Sequence, residues 1–466
     1  MNSKLYGRFN SFFSYIHLAN DQKIPWTGSV EQKLWGLMVV WSEAKFNFPF
    51  FDRITDIDWD SEVQEYIPRV IASNSVDEYY EILMEFAALL KDSHTSVIPP
   101  WRTIFEKFIR PEHDYPPVEL QVVEGRFIVA RASSTEEVLK QKIYPGLEIL
   151  EIDGLPTRNY LQEKILRFNS YGTTQADEAI GLIGILSGPK NSQIKLKVKD
   201  IDGTIRDLSL VRDSTDKDGN SFQWRLMQGF KSDSLIESQL INSDIYYAKI
   251  LSFMTIFGED KRKKKVVEEF QRAFDNLDLS TIKGIILDIR YNLGGTSENA
   301  DEIVSFLTDH PLKALKWKSI SYVPANRSWG RSVGWVEHAP YVIEPRAGKR
   351  HTGPLVVLTG PGTNSAAENF LIPLKYSKRA LIVGEKTAGG SGNQVVAPLP
   401  SGGAFRVVSK RDMFPDGEEF VGIGISPDIQ VQITREDLTK MRDPVLQKGI
   451  EVILNWNTYH KERAVT

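Results

Sequence analysis

Between an apolar run, Leu355-Val-Val-Leu358, and a stretch of helical spacing, Asn369 to Leu374, the sequence reads Gly362-Thr-Asn-Ser-Ala-Ala-Glu368. A serine at the start of a helix lies beside backbone N–H groups with no partner inside the helix, so an oxyanion forming there can be stabilised. Ser365 therefore suits a nucleophile. Read alone it also suits a plain helix cap, the commoner use of such a serine, and the G-x-S-x-G elbow of α/β hydrolases is absent. A second signal, Asp288-Ile-Arg-Tyr-Asn-Leu-Gly-Gly295, closes another apolar run. Paired glycines let the backbone approach a ligand and turn N–H groups toward an anion, which would supply half of an oxyanion hole; a tight strand-to-helix turn uses the same residues.

Together with Val383-Gly-Glu-Lys-Thr-Ala-Gly389 and Gly422-Ile-Gly-Ile-Ser-Pro-Asp428, these two segments resemble the S41 serine peptidases in order and separation from about Asp244 to Val431. The resemblance implies Ser365 as nucleophile and the N–H groups of Gly294 and Ala366 as oxyanion hole, with Gly295 the neighbouring candidate. A serine also needs a base. Tail-specific members take a lysine from G-E-K-T-x-G-K-G-x-x-Q, but here Gly390 stands in the place of that lysine, and Lys386 matches only the first, non-catalytic one. Tricorn-type members take a histidine from before the PDZ domain, and Leu90-Lys-Asp-Ser-His-Thr95 resembles that site. An imidazole titrates near ~6.5, so a neutral His94 could take the Ser365 proton and return it to the leaving amine, with Ser93 beside it. A helix-end histidine capping carbonyls is the alternative use of His94. The tetrad's acid normally precedes Gly-x-x-Pro-Asp, where this chain has Val421; Glu419 would share its face if the stretch is extended, or stand exposed in the turn after Pro415.

The elements that must position these residues fall into three textures. From Leu5 to Leu90 the apolar residues recur at helical spacing, Phe12 to Ile16, Leu34 to Trp41 and Tyr79 to Leu90, with Asp56, Asp58, Asp60 and Ser73 to Asp77 offering helix starts. After Pro116-Pro117 come strands, Val118–Val123, Arg126–Ala130, Gly146–Gly154, Gln193–Lys199 and Asp207–Arg212, with a polar helix near 157–168. This region looks like a PDZ domain, a module that captures peptides as an added strand, although an ordinary β-domain fits as well. From 214 onward buried-type strands alternate with helices, an α/β pattern. The expected fold is multidomain α+β: a helical domain over 1–112 carrying His94, a PDZ-like domain over 113–213, and an S41-type core over 214–466, which the resemblance makes ClpP/crotonase-like. Base and nucleophile would then come from different domains, so activity should depend on how the helical domain closes on the core.

Composition narrows the alternatives. With 466 residues the chain exceeds one domain of roughly 100–200, and 41% hydrophobic residues allow a sizeable core. A net charge of −4 gives no field for nucleic acid. Zero cysteines exclude disulfides, thiolate nucleophiles and Cys-bound zinc. The seven histidines have no metal-binding spacing, and no phosphate loop or dinucleotide fingerprint is present, so no metal or cofactor is expected. No apolar run reaches the ~18 residues of a membrane span. Met1 to Asn10 lacks a signal pattern, which suggests a cytoplasmic chain, or a periplasmic or extracytoplasmic one whose leader has been removed. The run Lys261 to Lys265 reads as a solvated helix face. The aromatic stretch Trp317 to His351 is either a strand pair over the cleft or a hydrophobic extension, including a contact within a homo-oligomer.

The expected function is a cofactor-free serine endopeptidase acting on unstructured or C-terminal peptide segments. The rival is a non-catalytic protein that binds peptides or hydrophobic ligands on the same fold. Esterase or amidase action on small molecules would use the same residues.

Overall fold

A computed structural model describes residues 25–101, 112–255, 265–330 and 333–465. The Phe12 to Ile16 helix expected from the sequence, and residues 261–264 of the basic run, lie outside the described residues.

Three helices, Val30–Asn47, Trp59–Ala72 and Val76–Ala88, open the described chain. Each begins where a side-chain oxygen takes up an orphan N–H: Ser29 accepts from Gln32, Asp58 from Asp60 and Ser61, and Ser75 from Glu78. Leu37, Val40, Val63, Tyr79, Leu83 and Phe86 are buried, each removal from water stabilising by roughly 1.5–3 kcal/mol. Trp35, expected inside, is 60% exposed. The run Leu34 to Trp41 turns by ~100° per residue, so no single face can hold all of it. These helices have no separate core: Leu37, Tyr80 and Phe86 belong to the same hydrophobic cluster as Phe270, Leu355 and Phe370.

A second cluster fills the β-rich region, where strands run in the order Val118–Val123, Arg126–Ala132, Glu148–Ile152, Gln193–Lys199, Ile205–Val211. The strand of alternating lysines buries Ile194, Leu196 and Val198 and turns its polar residues outward, as a period of two demands.

The C-terminal α/β region is built on a six-stranded sheet in the order Ile236–Ile241, Ile245–Ile250, Gly284–Asp288, Leu355–Thr359, Leu381–Gly384, Ile429–Gln430. All pairs are parallel except the first. Side chains of one strand feed two cores: Leu355 and Val357 face the cluster containing the Ala366–Tyr376 helix, while Val356 and Leu358 face the Pro444–Leu454 helix. Burial on both faces explains why the central strands Gly284–Asp288, Leu355–Thr359 and Leu381–Gly384 are nearly continuous apolar runs.

Two small sheets complete the walls. Ser96–Ile98 pairs antiparallel with Ala404–Val408, which pairs with Gln394–Pro398. Lys316–Ser321 pairs with Gly334–His338 and with Lys410–Met413, so the aromatic stretch does form a strand pair, with Trp317 stacked on His338 at 3.6 Å. No helix among the described residues is long and apolar enough to cross a membrane.

Candidate active site

Ser365 lies at the junction of the Leu355–Thr359 strand and the Ala366–Tyr376 helix, with φ 59° and ψ −123°. That left-handed backbone is costly for a non-glycine residue and is held here from several sides. The Ser365 N–H donates to Gly390 O at 2.8 Å, the Asn364 N–H to Asn292 O at 3.1 Å, and the Thr363 hydroxyl to Ile289 O at 2.9 Å. The hydroxyl of Ser365 lines the cleft. Its Oγ lies 2.9 Å from His94 Nε2.

His94 reaches that position through a tightly held loop. Its N–H donates to Asp92 Oδ1 at 2.9 Å, and Thr95 Oγ1 accepts the Val408 N–H at 3.2 Å. Arg406 donates to Ser96 Oγ at 2.8 Å and to Ser93 O at 3.3 Å. The strand Ser96–Ile98 then ties the loop to Ala404–Arg406. Burial pushes the Asp92 carboxyl up to about 6 and the Arg406 guanidinium down to about 10. The segment carrying His94 is thus bonded directly to the Ala404–Val408 strand. On the other side of the ring, His94 Nδ1 lies 2.9 Å from Ser93 Oγ.

The glycine loop is set differently from expectation. The Gly294 N–H is taken by Asn292 Oδ1 at 2.8 Å, so it cannot also serve an oxyanion at full strength. Gly294 O accepts from the Phe253 N–H at 2.9 Å and from Ser252 Oγ at 3.1 Å. In a trans peptide the N–H opposes the C=O, so the Gly295 N–H points away from Phe253. Among the described residues neither the Gly295 N–H nor the Ala366 N–H has a protein partner. A β-carbon on Gly294 would stand 2.7 Å from Ser365 Cβ and 2.9 Å from Ala366 N, so only glycine permits this approach.

Glu368, fully buried, gathers the surrounding backbone. Its carboxylate accepts from Gly389 N and Gly390 N at 2.8 Å each, from the Ser365 N–H at 3.3 Å and from the Thr387 hydroxyl. Burial pushes its pKa up to about 7 against these four donors. Glu419, considered as the tetrad acid, is occupied elsewhere. It pairs with Arg53 at 2.5 Å and Arg411 at 3.3 Å, in a short antiparallel bridge with Met413. Lys386 is exposed.

His94, Ser365, Gly295, Asn364, Trp317 and Tyr341 share one cleft of about 880 Å³. Among the described residues no three His, Asp or Glu side chains converge as a metal-binding group. The arrangement can carry out acyl transfer: a neutral imidazole accepts the serine proton while two free N–H groups hold the oxyanion. Of the residues considered from the sequence, Ser93, His94, Gly294, Gly295 and Ser365 line this cleft, and Ala366 follows Ser365 as the first residue of the helix. Sequence reasoning missed Asn292 and Glu368, both inside the quoted segments, where a buried polar residue beside a glycine loop was the available signal. Arg406 carries no such signal, being one polar residue within Ala404–Val408.

The peptidase family S41 model matches residues 244–431. The chloroplastic C-terminal processing peptidase of Tetradesmus obliquus is 33% identical over 161 residues, 34% of this chain and 31% of that protein. Carboxy-terminal processing protease CtpA of Bacillus subtilis (strain 168) is 22% identical over 315 residues, 68% of this chain and 55% of that protein. The chain thus spans between about a third and about half of these curated relatives. Among solved structures, mature CPAF superposes with a TM-score of 0.70 at 18% identity, covering 93% of this chain and 98% of that one, which shows a shared fold.

Proposed function

We propose that the chain, whose residues 244–431 match the peptidase family S41 model, is a serine endopeptidase of that family with Ser365 as nucleophile and His94 as base. The observation that carries the proposal is the 2.9 Å approach of His94 Nε2 to Ser365 Oγ across 271 positions of sequence. In this reaction Ser365 Oγ attacks the scissile carbonyl while its proton passes to His94 Nε2. The Gly295 and Ala366 N–H groups hold the oxyanion, and His94 returns the proton to the leaving amine. Water then attacks the acyl-enzyme with His94 again as base. Ser93 orients the imidazole. Gly294 shapes the loop through Asn292, and Glu419 has no step in this scheme.

The substrate class is an unstructured or C-terminal peptide segment. The strand Gln394–Pro398 lines the cleft and, among the described residues, pairs on one edge only, which suits an extended peptide added as a further strand. We assign residues 1–112 to a helical unit, 113–213 to a PDZ-like unit that would recruit peptide ends, and 214–466 to a ClpP/crotonase-like core. The two-sided parallel sheet and the five-strand order of the β-rich region support this division.

A fluorophosphonate probe together with hydrolysis of an unstructured protein tests the proposal. Labelling at Ser365 is expected, with loss of hydrolysis by at least about 10³-fold in Ser365→Ala and in His94→Ala. Retained hydrolysis in both variants would reject it. Tight peptide binding without labelling would favour a binding protein on the same fold.

A further inference from the structure

The side chain of Ser93 poses a proton problem that His94 alone does not solve. A hydroxyl is one donor and two acceptors. If Ser93 Oγ donates to His94 Nδ1, the ring proton sits on Nε2, facing Ser365, and the imidazole cannot accept the serine proton. If Ser93 instead accepts from an Nδ1–H, Nε2 is left with a free lone pair and the base is competent. The choice depends on whether the hydroxyl proton of Ser93 has another acceptor to go to.

Among the described residues, Ser93 Oγ makes its one hydrogen bond with His94 Nδ1. The position from which S41 tetrads draw an acid holds Val421, and the nearby Glu419 is bound to Arg53 and Arg411. Asn364 stands next to the nucleophile, is 9% exposed, lines the cleft, and has a buried Oδ1 with no hydrogen-bond partner. Ser93 Oγ and Asn364 Oδ1 both fall within 3.0 Å of the point where a β-carbon on Gly390 would stand. One acceptor without a donor and one hydroxyl whose partner among the described residues is His94 Nδ1 thus crowd the same spot.

We infer that Asn364 Oδ1 accepts the Ser93 hydroxyl proton, through one water or after a small side-chain rotation, and so fixes His94 in the Nδ1–H tautomer required of the base. Asn364 is a positioning residue in the chain Asn364, Ser93, His94, Ser365. Only the Ser365 proton moves, to Nε2; Ser93 and Asn364 keep theirs. A neutral amide takes the orienting part that a carboxylate would play. Of the charged groups flanking the loop, Asp92 accepts from the His94 N–H, and Arg406, which can only donate, is bonded to the Ser93 carbonyl. The unpaired carbonyl at a buried site, itself costly, is thereby accounted for.

The inference rests on His94 being the base, and its test separates the two. Imidazole ¹⁵N spectra of the full chain, with the His94 signal assigned by His94→Gln, report the tautomer without any turnover. The wild type should show the proton on Nδ1, and Asn364→Leu should move it toward Nε2 and lower kcat by about 10- to 100-fold with KM little changed. Asn364→Asp restores an acceptor, should keep activity within about tenfold of wild type, and should move the acidic limb of kcat/KM to higher pH, because a nearby carboxylate favours the imidazolium. An unchanged tautomer and pH profile in Asn364→Leu would overturn the inference. If that variant does not fold, an unmoved acidic limb in Asn364→Asp overturns it instead. Full activity in His94→Ala would reject the base assignment itself.

Discussion

Ser93 and Gly390 compete for one place: Ser93 Oγ lies where the first carbon of any side chain at 390 would have to go. A side chain at 390, a lysine included, would therefore force the Ser93 hydroxyl to move, which gives the sequence difference at 390 a steric meaning. Gly390→Ala should push Ser93 off His94 Nδ1 and lower kcat by tenfold or more, on the order of one lost buried hydrogen bond. The melting temperature should change little by comparison. Wild-type turnover in Gly390→Ala would show that the space is not shared.

Asn292 is fully buried and holds the Gly294 N–H through Oδ1, while its Nδ2 donates to Ile250 O at 3.0 Å. Without it the glycine loop can swing, and the Gly295 N–H loses its aim at the oxyanion. Asn292→Ala should reduce kcat by about 10- to 100-fold, less than the loss of an oxyanion donor itself, with a smaller effect on KM. Steady-state kinetics on a folded variant decide it, and an unaltered kcat would remove Asn292 from this role.

For Glu419 the expectation is the reverse. Its carboxylate serves Arg53 and Arg411, with Arg53 also donating to Val421 O, and Arg53 holds it below the usual carboxylate range despite the cost of burial. Glu419→Gln should keep kcat within about threefold of wild type and cost less than about 1 kcal/mol of stability, since the pair is partly open to solvent. A hundredfold loss of kcat with the fold intact would return Glu419 to the catalytic relay.

The sequence carried the chemistry further than the orientation. The strands around Leu355–Leu358 and Lys283–Ile289 were legible because burial on both faces removes polar residues from them. Ser365 and the double glycine were legible as local punctuation between such strands. His94 was legible only through the family resemblance, because nothing in Asp92-Ser-His94 says what stands opposite it 271 positions later. Which glycine N–H is free depends on the rotation of one peptide plane, and that rotation is set by Asn292 and Phe253 rather than by the glycines. For Glu419 the sequence left two places open, the tetrad or the turn after Pro415; in the fold it bridges to Met413 and pairs with Arg53 and Arg411.

His351 links stability to pH. It is 5% exposed, and its Nε2–H donates to Pro354 O at 2.9 Å. Burial lowers its pKa from 6.5 to about 4, so the folded chain holds it neutral while the unfolded chain binds a proton. The contribution is complete above about 6.5 and is lost as pH falls toward 4, reaching about 2 kcal/mol by pH 5. Urea unfolding of wild type and His351→Gln at pH 7 and pH 5 checks the sign. The difference between them should shrink on acidification, and a constant difference would contradict the linkage.

Among the described residues the strand Ser96–Ile98, two residues beyond His94, finds its partner only in Ala404–Val408. During translation, a polypeptide that has just emitted residue 365 owns a nucleophile and a histidine but has nothing to hold them together. Some forty more residues must leave the ribosome before the histidine can be stitched in place. The placement of His94 beside Ser365 is therefore among the later steps in the assembly of this chain, because it waits on a strand made after the nucleophile.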